Sequence, residues 1–118
     1  MASRFTELVV DSSDTELLAR FWASALDYEI TEREDDVVVI EGPDAGPSLA
    51  FVHVPEAKTV KNRIHIDLSP RDRDQAEEVE RIVALGARRV DVGQGDVSWV
   101  VLADPEGNEF CVLRNRRP

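Results

Sequence analysis

The 118-residue chain carries 24 acidic against 14 basic side chains, a formal net charge of −10. That balance excludes an electrostatic nucleic-acid binder and a protein docking onto an anionic membrane, both of which need a basic face. With 42 % apolar and 32 % charged residues, the composition is that of a globular domain able to bury a core without disulfides or structural metal.

In chain order, the first strand is expected over 5–10, which is rich in strand formers. Ser13-Asp14-Thr15-Glu16 has capping-box spacing, with the Ser13 hydroxyl facing the orphan N–H groups. Leu17, Leu18, Phe21, Trp22, Ala25 and Leu26 follow as an apolar stripe at helical period, predicting a helix over 14–26 with Trp22 in the core. Strands are expected over 28–33, 37–40 and 49–54, with a turn cluster at 42–47. Arg63-Ile64-His65-Ile66-Asp67-Leu68 alternates polar and apolar, predicting a fifth strand over 63–68. A second helix is expected over 71–85, opening at Ser69-Pro70. It should bury Ala76, Val79, Ile82 and Val83 and end at Gly86 in a left-handed conformation. Strands over 89–92, 97–102 and 109–113 complete the set, separated by turn clusters at 93–96 and 104–108.

The order is therefore βαβββ twice, and the halves match at an offset of 58 to 59 residues. Glu7 precedes Asp14 by the same seven residues that separate His65 from Asp72. The expected organisation is α+β: module one over 3–54, a linker over 55–61 and module two over 62–114. Acids concentrate early, since residues 1–58 hold 13 of them against 4 bases. The single cysteine, Cys111, leaves no internal disulfide, excludes a multi-cysteine metal cluster and fits a reducing cytoplasm. No apolar run approaches the ~20 residues of a membrane-spanning helix, and the start of the chain lacks the apolar stretch of a signal peptide.

Several segments together resemble the vicinal oxygen chelate superfamily, which includes glyoxalase I, bleomycin-resistance proteins and extradiol dioxygenases. They are the βαβββ duplication, Phe21-Trp22 with Leu26-Asp27-Tyr28, Asn62 to Leu68, Leu85-Gly86-Ala87, and Asp104-Pro105-Glu106-Gly107-Asn108-Glu109-Phe110. The chain is most similar to the glyoxalase-like branch. The resemblance implies two modules forming a curved mixed-sheet cup. It further implies a divalent metal ion in the cup, in those members that use one, stabilising an oxyanion by Lewis acidity. Binding-only members keep the cup without the metal. Pairing of chains is common in the superfamily, so a homodimer is expected.

The resemblance places the ligand positions at Glu7 on the first strand and His65 on the fifth. The fourth-strand position falls among Ala50, Phe51 and Val52, none able to ligate, with His53 the nearest candidate and displaced. The eighth-strand position falls on Cys111, a soft donor where a carboxylate is usual. Glu109, two residues earlier, shares its face by the strand period and stands as a substitute. The implied metal set is thus Glu7, His65, Glu109 and Cys111, a degraded site. Glu7 and His65 are also the candidate acid/base pair of a metal-free enzyme. Alternatively, His65 is a strand residue hydrogen-bonded to Asp67 or a neighbour, and Cys111 a small buried apolar residue. Phe51 and Trp99 are candidate pocket-floor aromatics, Arg63 and His53 candidate substrate contacts. The expected function is small-molecule binding. The alternative is a metal-dependent lyase, isomerase or dioxygenase acting on a vicinal-oxygen substrate.

Overall fold

The computed structural model describes residues 2–44 and 46–115. Met1, Ala45 of the expected 42–47 turn cluster, and residues 116–118 lie outside the described residues. The chain divides into two compact units, Met1–Ala57 and Lys58–Pro118, each a helix with a four-stranded mixed sheet.

Unit one contains β1 (Glu7–Ser12), α1 (Thr15–Leu26), β2 (Glu29–Glu34), β3 (Val37–Glu41) and β4 (Ser48–His53), in the sheet order β1-β4-β3-β2. β1 runs parallel to β4, so the first and last strands of the unit are neighbours. The other pairings are antiparallel. Register sets Val10 and Val38 beside Phe51, and Leu8 and Ile40 beside Leu49. This face lies under α1, which packs on β2, β3 and β4. Leu18, Ile40 and Phe51 are wholly buried there, with Phe21 and Trp22 in an edge-to-face contact at 5.3 Å.

The cap of α1 differs from the expectation. The Asp14 carboxylate, not the Ser13 hydroxyl, accepts the Leu17 N–H at 3.1 Å. A carboxylate is the stronger choice, because it also complements the positive end of the helix dipole. The apolar stripe is broader in sequence than in burial: Leu17 is exposed. Asp27 closes the helix in the left-handed region, at φ 58 and ψ 42. Glu16, on the outer face, is hydrogen-bonded by Arg33 and Arg20, which hold its carboxyl down at about 2. Both pairs are solvent-exposed, so water screens them and they add little to stability. Gly42 is required by packing, since a Cβ there would collide with the Tyr28 ring.

Unit two contains β5 (Asp67–Leu68), α2 (Gln75–Leu85), β6 (Arg88–Arg89), β7 (Val100–Ala103) and β8 (Glu109–Val112), in the order β5-β8-β7-β6. Again the first strand is parallel to the last and the others are antiparallel. α2 begins four residues later than expected. Its N-cap is Asp74, whose carboxylate accepts the Glu77 N–H at 2.8 Å while Glu77 reaches back to the Asp74 N–H, a complete capping box. Ser69-Pro70 therefore precedes the helix instead of opening it. α2 buries Glu78, Val79 and Ile82; Ala76 and Val83, expected inside, face outward. Arg81 grips Glu78 through two hydrogen bonds of 2.8 and 2.9 Å, which explains how an acid is tolerated at a buried position. Gly86 adopts the positive φ expected of it, 129°.

The fifth strand is shorter than its alternation predicts. Only Asp67 and Leu68 join the ladder, and the chain bends at Arg63 and Ile64, leaving Ile64 76 % exposed. The cause lies opposite. β8 starts at Glu109, whose side chain captures the Asn62 N–H, so the chain ahead of Ile66, whose carbonyl accepts the Cys111 N–H at 2.9 Å, is tied by a carboxylate and not by a backbone ladder.

The β7–β8 connection is organised by one carboxylate. Asp104, 2 % exposed, accepts from the Glu106 and Asn108 N–H groups at 3.0 and 2.9 Å and from Asn108 Nδ2 at 3.0 Å. Gly107, at φ 90, supplies the left-handed residue that reverses the chain.

Candidate functional site

The strand pairings sort the side chains of unit two onto two faces. Leu102, Phe110 and Val112 share one face and are essentially fully buried, with α2 packed on β8. Asp67, Cys111 and Val101 share the other, because Cys111 is the register partner of both neighbours. On this second face lies a hollow of about 400 Å³. Lys61, His65, Asp67 and Gln94 give it polar walls. Val101, Leu113, Cys111 and the 40 % exposed Trp99 add an apolar lining.

Three hydrogen bonds organise the chain around His65. His65 Nε2 lies 2.7 Å from the Asn62 carbonyl oxygen. A carbonyl has no proton to give, so Nε2 donates and the neutral ring keeps its lone pair on Nδ1. Glu109 accepts the Asn62 N–H at 2.8 Å on Oε1 and the Lys58 ammonium at 2.9 Å on Oε2. Burial opposes ionisation of Glu109, but the bonds from Asn62 and Lys58 outweigh it and hold the carboxyl below its usual range.

Cys111 is buried, and burial pushes its thiol up; the neighbouring Asp67 carboxylate, to which it hydrogen-bonds, adds to this, and Lys61 opposes it in part. The group is therefore a thiol at neutral pH and neither a nucleophile nor a ready metal donor. Iodoacetamide is expected to label native Cys111 slowly at pH 7 and faster only as pH rises beyond the normal thiol range. Asp67→Asn should speed labelling at fixed pH. Rapid labelling of the native protein at pH 7, followed by mass spectrometry, would contradict this assignment.

The expected site residues fall in different places. His65, Trp99 and Cys111 come together around the hollow. Glu109 lies on the same strand as Cys111 but both of its oxygens are engaged. Arg63 is exposed at the bend. In unit one, Glu7 is exposed on β1 and accepts the Ser48 hydroxyl at 3.0 Å. Phe51 is core beneath α1, and His53 is exposed at the end of β4. Lys61, Asp67 and Gln94 were not singled out by sequence reading, although the Arg63-His65-Asp67 alternation and the Gly93-Gln94-Gly95 turn carried the signal.

Within unit two, the implied donors are not gathered around one point. Among the described residues, no group of three or more His, Cys, Asp or Glu side chains is placed to hold one. Of the implied donors in unit two, one His65 nitrogen and both Glu109 oxygens are spent on protein partners, and Cys111 keeps its proton.

A family profile described as a glyoxalase-like domain matches residues 7–113. The chain belongs to that family. The glyoxalase-like assignment is matched by solved structures of the same fold. "Oxidase ChaP-H2" is 22 % identical, with a TM-score of 0.70 over 100 % of this chain and 96 % of that one. A variant of the fosfomycin resistance protein FosX from Listeria monocytogenes, complexed with Mn(II) and 1S,2S-dihydroxypropylphosphonic acid, is 17 % identical, with a TM-score of 0.73 over 98 % and 92 % of the chains. A glyoxalase/bleomycin resistance protein/dioxygenase family enzyme from Burkholderia phytofirmans is 15 % identical, with a TM-score of 0.71 over 93 % and 97 %. No curated protein matches the chain. The glyoxalase-like family and the two-module α+β architecture are thereby shown.

Proposed function

We propose that this glyoxalase-like chain binds a small organic molecule in the hollow of unit two, without a resident metal. The observation that carries the reading is that the hollow is lined both by apolar groups, among them the Trp99 ring, and by the polar side chains of Lys61, His65, Asp67 and Gln94. Trp99 suits a flat or apolar body. The Lys61 ammonium, which no ion pair engages among the described residues, suits an oxygen-bearing group at one end. In its neutral form His65, with Nε2 donating to Asn62, presents an Nδ1 lone pair able to accept a proton from a bound ligand. Glu7, the second carried-over acid/base position, is assigned no part in this hollow.

The degraded metal site is part of the proposal, supported by the engaged donors in unit two. The second reading, a metal-dependent lyase, isomerase or dioxygenase, is favoured by the Mn(II) held by a FosX protein of the same fold. Elemental analysis of protein purified without chelator separates the two. Well under one metal per chain is expected, with fragment binding by saturation-transfer NMR lost in His65→Ala and Trp99→Ala. One tightly held ion per chain would replace the first reading by the second.

We further propose a homodimer, in keeping with the exposed apolar residues Phe5 and Val9 on or beside the edge strand β1. Light scattering should return twice the chain mass; a monomer at micromolar concentration would refute it. A reducing cytoplasm suits the free thiol of Cys111.

A further inference from the structure

We infer that Glu109 is a positioning residue for His65, acting through the backbone of Asn62. The assignment rests on placing His65 in a ligand-binding hollow, but its test does not require a ligand.

Four observations converge. Glu109 Oε1 accepts the Asn62 N–H at 2.8 Å. The Asn62 carbonyl accepts His65 Nε2–H at 2.7 Å. The two bonds hold Asn62 on either side of its Cα, so the carboxylate restrains the residue whose carbonyl His65 meets. Glu109 is itself immobilised, because Oε2 holds Lys58 at 2.9 Å with side-chain exposures of only 12 % and 19 %. Finally, residues 61–65 form no backbone ladder, and the nearest rung is the Cys111 N–H to the Ile66 carbonyl at 2.9 Å, so the imidazole is placed by that anchor together with these bonds.

The chain of bonds has a direction. A carboxylate can only accept, so Asn62 must donate to it. The Asn62 carbonyl can only accept, so His65 must donate through Nε2. The Glu109 bond therefore holds the carbonyl that selects the Nε2–H tautomer and leaves Nδ1 as the acceptor. Neither Glu109 oxygen needs to touch the ligand. An acid at this position, otherwise unexplained two residues before the expected ligand position, thus acquires a role that does not involve a metal.

The readout is the His65 ring N–H in ¹⁵N-labelled protein. In the wild type a slowly exchanging Nε2–H resonance is expected. Glu109→Gln should retain it, because the amide oxygen still accepts from Asn62. Glu109→Asp should speed its exchange, because the shorter side chain keeps the charge but withdraws from Asn62. Glu109→Ala should speed its exchange about tenfold or more, the loss of one hydrogen bond's worth of protection. Lys58→Met should speed its exchange less than Glu109→Ala does, because it frees Oε2 but leaves the Oε1 bond to Asn62. Backbone amide protection in β7 and β8 reports whether each variant is folded; if Glu109→Ala is not, the Asp and Gln variants decide.

Two results would overturn the inference: an Nδ1–H tautomer in the wild type, or an unchanged ring N–H in folded Glu109→Asp. Loss of fragment binding with a normal ring signal would instead strike at the functional reading and leave the positioning role standing. Rescue of binding by Gln but not by Asp would join the two.

Discussion

Phe51→Ala is expected to cost about 3–5 kcal/mol, the range for removing a fully buried phenylalanine. Phe51 is 0 % exposed and sits between register partners Val10 and Val38 beneath α1. The strands around it are pinned on both sides, so the cavity cannot collapse cheaply. A loss of that size consumes a large part of the ~5–15 kcal/mol that holds a typical domain. Urea denaturation should show a much lower midpoint, and Phe51→Leu a much smaller fall. The comparison also tests what Phe51 is for. As a pocket floor it would affect ligand affinity before stability; as core it does the reverse. A Phe51→Ala protein of normal stability would remove it from the core.

Asp104→Ala should cost about 2–3 kcal/mol, because hydrogen bonds to a charged acceptor are the stronger class. The carboxylate is buried and takes the N–H groups of Glu106 and Asn108 together with the Asn108 amide. Alanine leaves these donors without an acceptor in a turn that must bring Glu109 opposite Ala103. For a small folding unit the melting temperature should drop by roughly 10–20 °C in calorimetry. Asp104→Asn, which keeps one acceptor oxygen, should fall between. Because the turn sets the register of β8, the alanine variant should also loosen Glu109 and Cys111, visible as faster thiol labelling. An Asp104→Ala protein melting within two or three degrees of wild type would show that solvent replaces the carboxylate without penalty.

Much of the architecture was readable because local and long-range signals agreed. The helical stripe through Leu18, Phe21, Trp22 and Ala25 and the β-branched run at Val37 to Ile40 gave unit one. The duplication then gave unit two. What misled was chemistry with more than one local solution. Ser13 and Asp14 both precede α1, and either can cap; the carboxylate won. Arg63 to Leu68 alternates like a strand, yet the ladder needs a partner, and Glu109 offered Asn62 a side chain instead. At the site, His65, Trp99 and Cys111 were legible as types at strand spacing. The Cys111–Asp67 bond and the Lys58–Glu109–Asn62 tie were not, because they join residues 44 to 51 positions apart through side-chain geometry alone. Phe51 shows the same limit: a period of two assigns it a face but not which face receives the helix.

The parallel pairing of first and last strands in each unit bears on synthesis at the ribosome. β1 remains without its neighbour until His53 has emerged, and β5 until Val112 has. Neither sheet can be assembled by adding hairpins one after another, since an opening strand waits through a helix and a hairpin for its mate. Unit one can therefore finish while unit two is still being translated, and a stalled chain ending before residue 109 would expose the Leu102 face to aggregation.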